Sequence, residues 1–183
     1  MIKMAMHRLS NKGVHEKIGY VYLSDSPGGL LLEAELEGLP PGDHGFHVHE
    51  YGDIEPGKNK KGKVIAGGAA GQHLDPAKTE KHLGPYRNGH LGDLPYIIAE
   101  DDGTCDDAVL APRLMLEDVE GLALIIHECG DNYSDYPLPN GGGKSRIAGG
   151  IISNDCPYCK KERNRNLMIL GTVAAGVYAF KKL

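Results

Sequence analysis

Apolar residues recur along this chain in short runs with a period of two. Ile2, Met4 and Met6 alternate with Lys3, Ala5 and His7, which predicts a first strand over residues 1–9. Runs at 20–23 and 30–36 lie on either side of SDSPGG (24–29), a cluster of turn-forming residues. A third run carries His47-Val48-His49. Further strands are predicted at 97–99 and 109–116, separated by the turn Asp101-Asp102-Gly103. GLALIIH (121–127) is continuously apolar and of strand length, the pattern of a strand buried on both faces. Residues 146–152 close a series that reads as an all-β domain.

Two stretches break the pattern. Residues 51–95 are rich in Gly, Pro, Lys and His, and residues 128–144 in Gly, Asn, Asp and Pro. Aperiodic loops of that length inside a small domain are usually functional. The end of the chain differs again: 154–166 is polar and basic and contains Cys156-Pro157-Tyr158-Cys159, and 167–180 is uncharged and mostly apolar. The organisation expected is a β domain at 1–153, a linker at 154–166 and an apolar segment at 167–183.

Composition narrows the function. Twenty-six glycines, two phenylalanines and no tryptophan in 183 residues fit a turn-rich chain with one core. A formal net charge of −5 argues against a nucleic-acid partner. The opening lacks the apolar core and small-residue site of a secretory signal, so the expected location is cytoplasmic, where Cys105, Cys129, Cys156 and Cys159 would stay reduced.

Histidine is the unusual residue, with nine copies. His47 and His49, two apart on a strand, project from one face about 6.6 Å apart, a spacing that lets two imidazoles grip one ion. His73, His82, His90 and Asp93 lie among glycines in a loop with no core of its own; three imidazoles and a carboxylate suit tetrahedral zinc, which would order that loop. His127 ends the buried strand, where a histidine is more often a satisfied core residue than a ligand. If it joins His47 and His49, the site is nitrogen-rich and without thiolate, which suits copper.

GFHVHEYGD (45–53), GQHLDP (71–76), HLGPYRNGHLGDLP (82–95), LIIHECGDN (124–132) and GGGKSRIAGG (141–150) together resemble the copper/zinc superoxide dismutases, in particular the bacterial branch, over about residues 1–153. The resemblance implies an eight-stranded Greek-key β-barrel or sandwich of immunoglobulin-like kind with two long functional loops. It implies copper on His47, His49, His73 and His127, and zinc on His73, His82, His90 and Asp93, with His73 bridging the two. It makes Asp131 the carboxylate that links His47 to His82, Arg146 the arginine beside the open copper face, and His44 a packing residue near the copper loop. His7 and His15 match nothing functional and are expected at the surface. The implied substrate is superoxide; a homodimer is left open. Lys60, Lys61, Lys63, Arg87 and Lys144 lie in the long loops and could add local positive charge.

The chain also departs from the family. The usual disulfide joins the loop after the first copper histidines to the strand after the arginine; here Gly149 holds the strand position and residues 51–64 contain no cysteine. Such a bridge is worth roughly 3–4 kcal/mol, so that stability must come from elsewhere. The Cys156-x-x-Cys159 pair and the segment 167–180, shorter than the ~20 residues of a spanning helix, lie outside the family pattern. Basic residues on both sides of 167–180 suit a membrane contact. A non-enzymatic copper-transfer protein of the same fold is the alternative, and the complete ligand set with Arg146 favours the enzyme.

Overall fold

A computed structural model describes residues 1–59, 61–155 and Tyr158. The strands are β1 (Ile2–Ser10), β2 (Gly13–Ser26), β3 (Gly29–Leu36), β4 (Gly42–His44), β5 (Phe46–Val48), β6 (Gly57–Lys58), β7 (Val64–Ile65), β8 (Ile97–Ala99), β9 (Cys105–Ala111), β10 (Ala123–His127) and β11 (Arg146–Ile151), with one helical turn, α1 (Leu116–Val119). Seven of them form an antiparallel sheet in the order β5-β10-β11-β1-β2-β3-β9. β4 and β8 pair separately. Only Gly45 separates β4 from β5, and a short turn separates β8 from β9, so the β4–β8 pair spans the two ends of the sheet and curls it into a barrel. With β4 and β5 counted as one strand broken at Gly45, the eight expected strands are present.

Alternation builds the interior. On β3, Leu30, Leu32, Ala34 and Leu36 are buried while Glu33 and Glu35 are exposed and Leu31 is half-buried. Their inner face meets Met4 and Met6 of β1 and Val21 and Leu23 of β2 in one cluster. β10 is buried along its whole length, as its unbroken apolar run predicts.

Three expectations are corrected. On β1, Ala5 and His7 are buried along with Met4 and Met6; register shifts beside His7 break the simple alternation. His7 is therefore not a surface residue: its Nδ1 lies 3.2 Å from the His15 carbonyl and its ring packs near Tyr158. His15 is exposed as expected. The strand predicted at 109–116 runs instead from Cys105 to Ala111. Pro112 has no N–H to continue the ladder, and the Asp118 carboxylate then accepts the Met115 amide to start α1. Cys156, Cys159 and the segment 167–180 lie outside the described residues.

At the place where the resemblance implies a disulfide, this chain packs hydrocarbon. Ile54, fully buried in the loop after β5, clusters with Leu9, Ala70, Ala123 and Ile125. Gly149 lies beneath them: a Cβ there would come within 2.7 Å of Ile125 Cδ1 and 3.1 Å of Leu9 Cδ1. A Cβ at Gly67 in the long loop would meet the same two methyl groups, Leu9 Cδ1 at 3.1 Å and Ile125 Cδ1 at 3.6 Å. Cys105 and Cys129 are free thiols and do not form a substitute bridge. Replacing Ile54 by Ala should therefore cost about 3 kcal/mol, a melting-temperature fall of roughly 5–10 °C. Reductant should shift the melting temperature of the parent protein by less than about 2 °C. Thermal melts read both; a large fall with reductant alone would contradict the apolar staple.

Candidate metal centre

Backbone pairing carries the long loop onto β5. The Val48 amide donates to the Gly92 carbonyl, the Leu74 amide to the Val48 carbonyl and the Gly92 amide to the Leu74 carbonyl, each at 2.9 Å. Bridges pair His47 with Asp93 and His49 with His73. On the other side, the β10 register sets Ile125 opposite His47, so His127 arrives two residues further along. The alternation that put His47 and His49 on one face thus combines with loop-to-strand pairing that sequence periodicity does not encode.

Six imidazoles converge, all of them at least nine-tenths buried. His73 is central: its ring centre lies 4.0 Å from His47, 5.1 Å from His49, 5.4 Å from His82 and His90, and 5.9 Å from His127. One set of ligand atoms, from His47, His49, His73 and His127, lies within 4.8 Å of one another; a second comprises His47, His73, His82 and Asp93. His90 stands at the edge of the second set, its Nδ1 3.4 Å from Asp93 Oδ1.

The hydrogen bonds of these rings decide which atoms are left over. The His49 Nδ1 lies 3.2 Å from the Gly71 carbonyl, and the His127 Nδ1 3.4 Å from that of Lys144. Asp131 takes the Nε2 of His47 at 2.8 Å and of His82 at 2.7 Å. Gly141, at φ 70°, closes over this carboxylate so tightly that a Cβ would sit 1.9 Å from Asp131 Oδ1. Without a partner in hydrogen-bond geometry among the described residues are His47 Nδ1, His49 Nε2 and His127 Nε2 on one side, and His82 Nδ1, His90 Nδ1 and Asp93 Oδ2 on the other, the His82 Nδ1 and Asp93 Oδ2 facing each other at 3.0 Å. A buried polar atom without a partner costs about 1–3 kcal/mol. Two such groups meeting at one ring fit two cations, a nitrogen-only site suited to copper and a mixed nitrogen and oxygen site suited to zinc.

Electrostatics agree. Burial first, then the charge of Arg146, holds His49 well below the usual imidazole range; burial and neighbouring His47 do the same for His127. Burial, with His47 beside it, pushes His73 down to about 3. These rings are neutral at neutral pH, the form that ligates a metal. For Asp93, burial raises the carboxyl, but the imidazoles of His73, His82 and His90 close around it outweigh that and hold the group far below the carboxylate range. Asp131 is likewise held low by His47 and His82 against the effect of burial. Burial lowers His82, but bonds to Asp131 and Asp93 more than reverse it, to about 9. A metal at His82 Nδ1 replaces a proton that those two carboxylates attract.

Arg146 is fixed beside the nitrogen-rich set. Its Nη1 donates to the Gly67 carbonyl and its Nη2 to the Gly71 carbonyl, both at 2.6 Å. Burial lowers it to about 10, which leaves the guanidinium charged at neutral pH. Lys63 and Lys144 line a groove of about 700 Å³ together with Arg146; Lys61 and Arg87 do not line it, and Lys60 is outside the described residues. His44 packs as expected, its two ring nitrogens each 2.7 Å from a carbonyl, of His127 and of Pro40. Sequence reading missed Asp135, whose carboxylate accepts the His82 amide at 2.9 Å. It also missed Tyr133, whose ring lies against Gly84. Asp135 carries no sequence signal beyond its place in the aperiodic loop 128–144.

Comparison with known proteins gives a concordant answer. The family model for copper/zinc superoxide dismutase matches residues 17–152. A Salmonella typhimurium protein named superoxide dismutase [Cu-Zn] 2 is 48% identical over 151 residues, covering 82% of this chain and 87% of its own. The copper/zinc superoxide dismutase of Escherichia coli is 46% identical over the same length and the same shares. The solved Cu/Zn superoxide dismutase of Brucella abortus superposes with a TM-score of 0.80 at 44% identity, covering 82% of this chain and 98% of that one.

The shared position of His73 separates two substitutions. His73→Ala should deplete both metals, whereas His90→Ala should weaken zinc first and leave copper near one per chain. Elemental analysis of purified variants reads this; normal copper and zinc in His73→Ala would rule out a shared ligand.

Proposed function

The chain belongs to the copper/zinc superoxide dismutase family and converts two superoxide anions to oxygen and hydrogen peroxide, and we propose that His47, His49, His73 and His127 hold its copper while His73, His82, His90 and Asp93 hold its zinc. The observation that carries this division is the pair of unpartnered atom groups on either side of His73. Copper supplies the one-electron change between two oxidation states that dismutation needs, and zinc, with a filled d shell, keeps its state.

The protein's own groups do the rest. Arg146, charged and held by two carbonyls, pairs with the anionic substrate at the copper face. Lys144 also lines the small pocket at His127 and adds positive charge there in a protein of net negative charge. Electrostatic steering of this kind is general, and superoxide dismutases are themselves a standard example of it. His73 faces Asp93 through Nδ1, which leaves Nε2 as the nitrogen that would take up and hand on the proton product peroxide requires. Asp131 holds His47 and His82 in fixed orientation, so the two halves of the centre keep their geometry.

Free Cys105 and Cys129, with packed hydrocarbon where the resemblance implies a disulfide, support work in a reducing compartment such as the cytoplasm. The Salmonella enterica relative is described as monomeric, and one chain here supplies every residue of the site, which supports a monomer as the working unit. The apolar segment 167–180, between basic residues, is assigned to membrane contact, attached through 154–166 to the domain at 1–153. No helix among the described residues is long and apolar enough to cross a membrane. Fractionation of cells producing the full chain tests this assignment: recovery wholly in the soluble fraction would contradict the membrane contact, and recovery outside the cytoplasm the location.

Arg146→Ala should leave copper and zinc content unchanged while lowering the rate constant with superoxide about tenfold and flattening its dependence on salt. Superoxide decay at several ionic strengths measures this. Unchanged kinetics would remove Arg146 from substrate capture.

A further inference from the structure

Arg113, between β9 and α1, reaches across to the loop that carries His90. Its Nε donates to the Pro85 carbonyl at 2.9 Å, its Nη1 to Gly89 at 3.3 Å, and its Nη2 to Gly84 at 3.3 Å and His90 at 2.5 Å. No carboxylate lies within ion-pair distance of it among the described residues. All four acceptors are main-chain carbonyls within one seven-residue stretch. Within that stretch the Gly89 amide donates to the Arg87 carbonyl at 2.9 Å, and the His90 amide reaches back to the Lys81 carbonyl just before it, also at 2.9 Å. On its far side the ring of Tyr133 presses against Gly84.

We propose that Arg113 is a positioning residue for the zinc half of the centre, fastening the backbone at 84–90 to the barrel so that the His90 imidazole faces Asp93. The inference rests on the zinc reading of His73, His82, His90 and Asp93. His90 needs such a fastening most, because it is the zinc-side histidine at the edge of its ligand set. Asp93 is paired to β5 and the His82 amide is held by Asp135. The four bonds require a planar fork. Guanidinium presents five N–H donors from three nitrogens, whereas a lysine ammonium has three donors on one atom and cannot span carbonyls from four residues.

The test uses the full chain as parent, Arg113→Lys and Arg113→Gln, each loaded with Co2+ at the zinc site, where tetrahedral ligation gives visible d–d absorption. Cobalt release to a chelator should be about tenfold faster or more in both variants, with weakened or shifted d–d bands. The metal-free melting temperature should stay within about 2 °C of the parent, because Arg113 acts on a loop that the metal orders. Arg113→Lys should fail to rescue, since charge without the fork is not enough; it also decides the matter if Arg113→Gln does not fold. Parent-like spectra and release rates in either variant would overturn the proposal. So would a fall in metal-free stability that matches the loss of cobalt, which would make Arg113 a general structural residue. A parent that gives no tetrahedral cobalt spectrum would instead overturn the zinc reading itself, and this inference with it.

Discussion

Two buried carboxylates, Asp93 and Asp131, contact four of the six clustered histidines, and the rest of the centre depends on that arrangement. Asp131 joins His47 on β5 to His82 in the long loop. Asp93 faces His73, His82 and His90. Burying two negative charges is costly unless positive charge sits beside them. Without metal the proton on His82 supplies part of it, since both carboxylates hold that imidazole in its charged form. Cations at the unpartnered nitrogens satisfy the carboxylates and the imidazoles together. Metal binding is in this sense the last step of folding for the two long loops.

Those loops have no core of their own, so each is tied to something rigid, by polar contacts and, in the longer loop, by side chains such as Ile54, Ala70 and Leu94 that enter the barrel's apolar clusters. Main-chain pairing fastens residues 73–74 and 92–93 to β5. Asp135 and Tyr133 hold the His82 and Gly84 stretch from the 128–145 side, and Arg113 holds 84–90 from the barrel. On the copper side, Gly67 rests on the methyl groups of Leu9 and Ile125, and its carbonyl receives Arg146. A disulfide would fix the same region by covalent closure and would depend on redox conditions; packed hydrocarbon fixes it without that dependence. The functional arginine is therefore oriented through the hydrophobic core.

Much of this was legible in the sequence, for identifiable reasons. Period-two alternation located β1 and β3, and an unbroken apolar run located β10, because each has one or both faces in the core. His47-Val48-His49 and the glycine-rich spacing of His73, His82, His90 and Asp93 announced ligands, because few other roles put imidazoles in such places. The first half of β2 was missed since His15, Glu16 and Lys17 are all exposed and show no apolar period. β9 was shifted because Asp106 and Asp107 interrupt its apolar pattern and Pro112 ends it early. His7 was read as a surface residue because nothing local reveals that β1 is covered on both faces there. Arg113 and Ile54 gave no signal either: the acceptors of Arg113 lie more than twenty residues away, the partners of Ile54 on β1 and β10 farther still, and only tertiary closure brings them together.

The central claim is that two metal ions complete a site which the protein alone leaves with unpartnered buried atoms. Elemental analysis combined with thermal melting of the same purified full-length sample tests it most directly. The account predicts one copper and one zinc per chain, and a melting temperature that falls by at least about 10 °C when both are removed, since binding to the folded state alone is worth several kcal/mol. A metal-free protein that melts at the temperature of the loaded one, or a loaded protein that takes up only one of the two metals, would contradict it.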